Sequence, residues 1–141
     1  MTKQEFLDSL NDCYTRLAPT VHGAGVVAIR DIPKGTNPFK HCPDIDVIEV
    51  TQEEFANYDP EVVRLIKDMC AKQNGVYHVP ATGIDSIGKN YYVNHSETPN
   101  LITLDEGETF VAARDITKGE ELTVDYRTYD ESDLFLPTTA R

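Results

Sequence analysis

The sequence predicts a mainly β domain with an N-terminal helix and a helical insert. From residue 76 onward, short strand-like runs alternate with Gly, Asp, Asn and Pro. Apolar residues at helical spacing are confined to residues 3–17 and about 50–74. The chain has no regular strand–helix–strand alternation, so a doubly wound parallel sheet is not expected.

The N-terminal helix is predicted over residues 3–17. Thr2 and Glu5 have the spacing of the N-cap and N3 residues of a capping box, and Pro19 is expected to close the helix. The apolar stripe is expected to pack on the domain, and a homodimer contact is the alternative. Its members are Phe6, Leu7, Leu10, Cys13, Tyr14 and Leu17.

Residues 21–29 predict a glycine turn that leads into a strand. Gly23 and Gly25 lack a Cβ atom, which suits either a tight hairpin or the close approach of a cofactor to the backbone. With Ala28, the spacing also satisfies the looser form of the dinucleotide-binding fingerprint. That motif has to follow a strand and open a helix. Because strand-like residues follow here, we do not assign a dinucleotide site.

An internal repeat relates residues 28–35 to residues 112–119. Each copy runs from a strand through Arg-Asp-Ile into a turn that ends in Lys-Gly. Two copies far apart in the chain predict similar β-hairpins in one fold, because a solenoid needs several adjacent repeats. We assign these residues a structural role and no chemistry.

The helical block at about 50–74 is predicted to be an insert. Residues 51–54 have capping-box spacing, and Asp59 and Pro60 have the spacing of the N-cap and N1 residues of a second helix. Residues 74–75, Asn-Gly, are expected to end that helix. The predicted strands are residues 45–50, 76–79, 81–84, 90–93, 101–104, 109–113 and 121–124.

The charge balance is strongly acidic. Asp and Glu outnumber Lys and Arg by 24 to 13, for a formal net charge of −11. This disfavours direct nucleic-acid binding, which needs a basic surface, and favours a basic partner such as a lysine-rich peptide. Solubility alone is the alternative explanation. No apolar run is long enough to span a membrane, and the N-terminus lacks the layout of a signal peptide, so we expect an intracellular protein, cytoplasmic or nuclear.

The three cysteines are Cys13, Cys42 and Cys70. Their odd number and wide spacing favour reduced, mostly buried thiols over a disulfide framework. His41 precedes Cys42, but no second pair of ligands matches it. We therefore predict no metal site.

The polar run Asn-His-Ser at residues 94–96 lies between two strand-like apolar runs. In an irregular segment, these residues can present amide, imidazole and hydroxyl groups to a ligand. A second polar segment, residues 119–126, ends at Tyr126. Taken alone, each residue also has a structural explanation: Asn94 can cap a turn, His95 can be a hydrogen-bonded core residue, and Tyr126 can be a core aromatic.

Residues 94–100, Asn-His-Ser-Glu-Thr-Pro-Asn, resemble the Asn-His-Ser-x-x-Pro-Asn motif of the SET-domain protein lysine methyltransferases. Residues 119–126, Gly-Glu-Glu-Leu-Thr-Val-Asp-Tyr, resemble the family motif Gly-Glu-Glu-Leu-x-x-x-Tyr. Residues 22–26 match its N-terminal Gly-x-Gly. The three motifs arrive in family order, with an insert between them.

The resemblance implies the β-clip or SET fold, with several small sheets and a pseudoknot-like crossing. There the segment of Asn94 and His95 would pass beneath the loop that carries Tyr126. The predicted division is an N-terminal helix at residues 1–19, a SET domain at 20–127 with its helical insert, and a C-terminal tail at 128–141.

The resemblance also implies an enzyme that transfers a methyl group from S-adenosylmethionine to a lysine amine in a basic protein or peptide. Histone tails are one option. The backbone around Gly23, Ala24 and Gly25 would meet the methionine part of the cofactor. Asn94 and His95 would hold its amino and adenine ends.

By the same resemblance, Tyr126 is the catalytic tyrosine at the methyl-transfer pore. Its hydroxyl would orient the amine and the methyl group and would not act as a nucleophile. Other aromatic residues are candidates for walls of the lysine channel or the cofactor site, with core packing as the alternative. These are Tyr91, Tyr92 and Tyr129.

The chain departs from the family pattern in three places. Many members have Cys directly after Asn-His-Ser and a Cys-rich, zinc-binding segment after the tyrosine, whereas here Glu97 follows and no Cys occurs beyond Cys70. A minimal SET protein without zinc-binding flanking segments is therefore expected. Residues 134–136, which include Phe135, are the candidate to close the channel, with a second subunit as the alternative. Val124 replaces an aromatic that influences methylation state in many members, so the product state stays open.

Two other functions remain open from the sequence. One is a SET-fold module that binds peptides without catalysis. The other is a related β-clip protein that binds a sugar or small acid.

Overall fold

The computed structural model describes residues 1–131, which fall into two compact units. The first unit joins residues 1–43 to residues 88–125, and the second joins residues 44–87 to residues 126–131. Within the described residues there are four small sheets, three in the first unit and one in the second. The predicted class, mainly β with an N-terminal helix and a helical insert, is confirmed.

Helix α1, Lys3–Ser9, begins at the predicted capping box. The Thr2 hydroxyl accepts a hydrogen bond from the Glu5 backbone, and the Glu5 carboxylate accepts one from the Thr2 backbone. These contacts satisfy two backbone donors that the first helical turn leaves unpaired. A 3-10 turn, Leu10–Asp12, extends the helix by a few residues.

The prediction of a helix over residues 3–17 is wrong beyond this turn. Strand β1, Thr15–Thr20, pairs antiparallel along its whole length with strand β2, Gly23–Ala28. Pro19, which was expected to close the helix, lies within β1 opposite Ala24. Pairing with β2, the strand that follows directly in the chain, outweighs the local helical spacing, which is only a weak preference.

The second unit holds the helical insert and one sheet. Strands β3, Val47–Val50, and β4, Lys72–Gln73, flank the central β5, Val76–Pro80, and both pair with it antiparallel. Helices α2, Gln52–Phe55, and α3, Pro60–Met69, lie between β3 and β4 in the chain. Both helices thus form within the predicted block.

Local signals predicted where these helices begin but not where α3 ends. Thr51 forms the expected capping box, and Asp59 caps α3 as predicted. The helix ends at Met69, well before the predicted Asn-Gly signal. Asn74 and Gly75 instead have positive φ values of 53° and 80° and make the tight turn between β4 and β5. Two consecutive left-handed residues are what a two-residue hairpin of this kind requires.

The remaining strands belong to the first unit. Strands β7, Leu101–Leu104, and β8, Thr109–Ala112, form an antiparallel pair. The short β6, Asn94–His95, and β9, Thr123–Val124, run parallel. The described residues contain no further strands, and no helix among them is long and apolar enough to cross a membrane.

Two predicted strands are wrong. Residues 81–84 form a turn, in which Gly83 adopts φ 97° and its N–H donates to the Pro80 carbonyl. Residues 90–93 fall mainly in a 3-10 turn, Lys89–Tyr92. In both places the β-branched and aromatic residues that suggested a strand are not paired with another strand in the described part of the chain, and strand preference depends on such pairing.

The two copies of the internal repeat have the same local structure and pair with each other. The backbones of Ile32 and Ile116 exchange two hydrogen bonds of 2.8 Å. Both side chains are buried, with exposed fractions of 0% and 1%. The two copies are similar units of one fold, but the prediction that each is a β-hairpin is wrong, because the backbone pairs between the copies. The Gly35 N–H donates to the Ala112 carbonyl and the Gly119 N–H to the Ala28 carbonyl, both at 2.8 Å.

Candidate functional site

The segment that carries Asn94 and His95 runs beside strand β9. Asn94 pairs with Thr123 and His95 with Val124 in a parallel register. The Ser96 backbone continues the pairing by donating to the Val124 carbonyl at 3.0 Å. Two chain segments that are far apart in sequence thus run side by side. Strand β9 ends at Val124, directly before Asp125 and Tyr126, the last two residues of the second motif.

Asn100, the last residue of the first motif, binds the backbone of the second motif through its side chain. Its side chain is buried, with 4% exposed. Its Nδ2 atom donates to the Glu121 carbonyl and its Oδ1 atom accepts from the Thr123 N–H, both at 2.9 Å. A buried amide that satisfies two backbone groups holds them more specifically than apolar packing can. We gave Asn100 no role from the sequence, and its place in the motif was the only signal.

Asn94 takes part in a polar network with two other chain segments. Its Nδ2 atom donates to the Ala24 carbonyl at 3.0 Å and to Oε2 of Glu121 at 2.9 Å. The other carboxylate oxygen, Oε1 of Glu121, lies 3.0 Å from Nδ1 of His22. A carboxylate can only accept hydrogen bonds, so this ring nitrogen carries the hydrogen. The network joins the glycine turn to both sequence motifs.

The two glycines of the turn are required for different reasons. A Cβ atom on Gly25 would lie 2.7 Å from Oε2 of Glu121, 2.7 Å from Cγ2 of Thr20 and 2.9 Å from Nδ2 of Asn94. Gly25 therefore leaves room for the chain's own side chains. Gly23 adopts φ 95°, which glycine tolerates without strain, and the space where its Cβ would lie is open.

His95 lies at the other end of β6 from the glycine turn. Its Nδ1 atom is 3.7 Å from Oδ1 of Asp125, and the two side chains are 22% and 19% exposed. This distance allows an ion pair when the imidazole is protonated. The ring is therefore half-buried beside a carboxylate.

Tyr126 begins the part of the chain that belongs to the second unit. Its side chain is buried, with 7% exposed, and its ring packs edge-on against Tyr129 with centroids 6.0 Å apart. The chain that follows is tied to β4. Gln73 donates to the Tyr129 carbonyl at 2.6 Å, and the Lys72 N–H donates to the Asp130 carboxylate at 3.1 Å.

The other predicted channel residues have diverse surroundings. Tyr91 and Tyr92 are half-buried in the 3-10 turn Lys89–Tyr92. Val124 is buried within β9, with 1% exposed. Phe135 and its apolar neighbours lie outside the described residues, so the predicted closure of the channel by residues 134–136 stays a prediction.

The structure thus brings the glycine turn and Asn94 together within the first unit. It also adds Glu121, His22 and Asp125, which sequence reasoning missed. The position of Glu121, an acidic residue directly before apolar strand residues, was a signal in the sequence. A carboxylate that is partly buried with such residues needs hydrogen-bond or ion-pair partners. Among residues 1–131, no group of three or more His, Cys, Asp or Glu side chains is arranged to hold a metal ion.

Comparison with known proteins gives the family. The SET domain model matches residues 23–127. A crystal structure of a Plasmodium falciparum protein named as a candidate histone methyltransferase matches with a TM-score of 0.50 and 18% identity, covering 80% of this chain and 92% of that chain. At this identity the likeness supports the fold alone, and no curated protein sequence matches. Because the family model covers most of the chain, the protein belongs to the SET domain family.

Proposed function

We propose that this protein transfers a methyl group from S-adenosylmethionine to the side-chain amine of a lysine in a basic protein or peptide. Membership of the SET domain family supports methyl transfer to a protein. The observation that carries the proposal is the parallel pairing of residues 94–95 with residues 123–124, which holds the two motifs in fixed register. The network of Asn94, Glu121 and Ala24 supports a cofactor site at the same place.

The residues around Asn94 suit the chemistry of this cofactor. S-adenosylmethionine carries an ammonium group and a sulfonium, both cationic. The Glu121 carboxylate is only 17% exposed, so its charge acts in a medium of lower dielectric than water. The backbone at Gly23 is open on the side where other residues carry a Cβ. A cationic, partly extended ligand can therefore lie along this backbone without displacing a side chain.

The chain's residues have to make the lysine amine reactive. A lysine side chain has a pKa of roughly 10.4 in water, so it arrives protonated and without a free electron pair. An apolar or aromatic surrounding lowers that pKa, and a nearby positive charge lowers it further. When bound, S-adenosylmethionine would supply a methyl group on a sulfonium, whose sulfur leaves as a neutral thioether when the carbon–sulfur bond breaks.

Tyr126 is the residue that we propose to orient the amine. A phenol hydroxyl can donate and accept hydrogen bonds, and it stays neutral at physiological pH. Such a group can direct the electron pair of the amine without competing for the methyl group. Holding the reacting atoms in line accounts for a large part of the rate enhancement in reactions of this kind.

The acidic charge supports a basic substrate. The formal net charge of −11 attracts lysine-rich peptides over long range. The name of the Plasmodium falciparum protein refers to histones, so histone tails are one class of substrate to test. Other basic proteins satisfy the same electrostatic argument.

The proposal is tested by methyl transfer from S-adenosylmethionine with a labelled methyl group to a panel of histones and lysine-rich peptides. Label in lysine is the expected result. Tyr126→Phe should bind the cofactor with unchanged affinity and lose most turnover. Tyr58→Phe is the matched control, because Tyr58 is 66% exposed and its substitution removes the same hydroxyl group elsewhere.

Two results would contradict the proposal. Cofactor binding without transfer to any substrate of the panel would favour a peptide-binding module over an enzyme. Equal turnover by Tyr126→Phe and the unmodified protein would remove Tyr126 from the mechanism.

A further inference from the structure

We infer that Glu121 is a positioning residue for the cofactor: it turns the Asn94 amide so that Oδ1 faces the ammonium group of the methionine part. This inference rests on the proposed function. It gives a role to a side chain that neither the motif resemblance nor the family match assigns.

The orientation of the Asn94 amide follows from its partners. An amide nitrogen has two hydrogens to donate. Nδ2 of Asn94 has two acceptors within hydrogen-bond distance, the Ala24 carbonyl at 3.0 Å and Oε2 of Glu121 at 2.9 Å. The flipped amide would place Oδ1 against both of these oxygens, and none of the three could donate a hydrogen bond. The Ala24 carbonyl and the carboxylate therefore act together against the flipped orientation, and Glu121 supplies the charged acceptor of the two.

With Nδ2 fully engaged, Oδ1 is the atom that Asn94 can offer to a ligand. In residues 1–131 no hydrogen bond is donated to it, and the Asn94 side chain is half-buried. A carbonyl-type oxygen accepts and cannot donate. Its ligand group must be a donor, and an ammonium is the strongest donor that the proposed cofactor carries.

Glu121 is itself held in place, as a positioning residue has to be. Oε1 lies 3.0 Å from Nδ1 of His22, so the two carboxylate oxygens have different partners. The absent Cβ of Gly25 leaves room for Oε2, which would otherwise lie 2.7 Å from it. The main chain of Glu121 is anchored by the Asn100 amide at 2.9 Å. Three neighbours thus determine where the carboxylate lies.

The test is a thermodynamic cycle on cofactor affinity. Calorimetry would measure the Kd of S-adenosylmethionine and of its analogue that lacks the α-amino group, for the unmodified protein and for Glu121→Ala. We expect Glu121→Ala to weaken S-adenosylmethionine about tenfold, the effect of one charge-assisted hydrogen bond. Its affinity for the analogue should change less than about twofold, because the group that Asn94 recognises is missing.

The neighbouring acid provides a matched control. Glu120→Ala removes the same charge from the adjacent residue, which pairs with Arg114 at 3.0 Å and not with Asn94. Both ligands should bind this variant as they bind the unmodified protein. If Glu121→Ala does not fold, Glu121→Met keeps the length of the side chain and removes both acceptor oxygens, and we expect it to weaken S-adenosylmethionine selectively over the analogue.

Each outcome has a distinct meaning. Equal weakening of both ligands by Glu121→Ala, or unchanged affinity for S-adenosylmethionine, would overturn the positioning role while the proposed function stands. Failure of the unmodified protein to bind S-adenosylmethionine would overturn the proposed function and this inference with it.

A second experiment measures hydrogen exchange in the free protein and needs no cofactor. The side-chain amide hydrogens of Asn94 should exchange slowly with solvent in NMR spectra, because both are donated to protein acceptors. They should exchange faster in Glu121→Ala and not in Glu120→Ala. Equal exchange rates in all three proteins would contradict the contact on which the inference depends.

Discussion

Ile32 and Ile116 exchange two backbone hydrogen bonds of 2.8 Å, and each occupies the same position in one copy of the internal repeat. Two aspartate side chains next to them form the same kind of reciprocal contact between the copies. The Asp115 carboxylate accepts from the Lys34 N–H and the Asp31 carboxylate from the Lys118 N–H, both at 2.8 Å. The first unit therefore contains a local two-fold relation between two distant parts of the chain.

This symmetry predicts that Asp31 and Asp115 contribute equally to stability. Asp31→Ala and Asp115→Ala should each lower the free energy of unfolding by about 1 kcal/mol, because each removes the acceptor of one backbone N–H. Denaturant unfolding measures the change. Asp44→Ala is the control, since Asp44 is an exposed acid of the second unit. A loss for one of the two aspartates alone would contradict the symmetric role.

Gly25 should tolerate no side chain. Gly25→Ala brings a methyl group within 3.0 Å of three side chains, so it should lower the free energy of unfolding by about 1–3 kcal/mol. Thr20→Ser removes one of the three clashing atoms, Cγ2, and keeps the hydroxyl that bonds to Gly23.

The double variant Gly25→Ala with Thr20→Ser should therefore be more stable than the sum of the single changes predicts. Denaturant unfolding of all three variants measures the difference. Strict additivity would show that Gly25 and Thr20 do not meet in the folded protein.

The Cys70 thiol should be the least reactive of the three cysteines. Burial, together with the Asp130 carboxylate, raises its pKa from an ordinary 9.0 to about 11. The thiolate is the reactive form, so a thiol reagent at pH 8 should modify the half-buried Cys13 and Cys42 first. Peptide mapping after brief labelling identifies the order, and labelling in denaturant should remove it.

The same raised pKa has a consequence for alkaline stability. Between pH 9 and about pH 11 the unfolded chain releases the Cys70 proton while the folded chain keeps it. The unfolded state therefore gains stability as the pH rises through this window. Cys70→Ala should lose less stability than the unmodified protein between pH 8 and pH 10. Parallel loss by both proteins would argue against a raised pKa at this site.

The acidic charge should make substrate binding sensitive to salt. If the charge of −11 attracts a basic peptide, the KM for that peptide should rise several-fold between about 0.05 M and 0.3 M salt, with kcat little changed. The cofactor carries a single net positive charge, so its binding should depend on salt more weakly than that of a peptide with several lysines. A KM that does not respond to salt would leave solubility as the role of the charge.

Local signals in the sequence predicted local structure well. The capping boxes at Thr2 and Thr51 formed because all of their partners lie within one helical turn. Residues 15–17 were predicted to be helical and belong to a strand, because their apolar spacing fits a helix and does not show that they pair with the strand after the glycine turn. A related reason explains the error at residues 90–93, which look like a strand but pair with no other strand among residues 1–131.

The same difference between local signals and long-range contacts applies to the candidate site. The sequence motifs alone identify Asn94, His95 and the glycine turn as candidate ligand-binding residues. The contact between Asn94 and Glu121, and the reason why residue 25 must be glycine, depend on three segments meeting in space. No periodicity or spacing encodes such a meeting, so these features cannot be predicted from the sequence.

The central claim is that Asn94 belongs to a site for S-adenosylmethionine. Calorimetric titration of the cofactor into the purified protein, beside Asn94→Ala, tests it without any assumption about the substrate. Asn11→Ala is the control, because Asn11 is exposed and its side chain forms none of the hydrogen bonds of the network. We predict saturable binding that Asn94→Ala weakens about tenfold or more and Asn11→Ala leaves unchanged. Saturable binding of equal strength in all three proteins would contradict the assignment of the cofactor to this site.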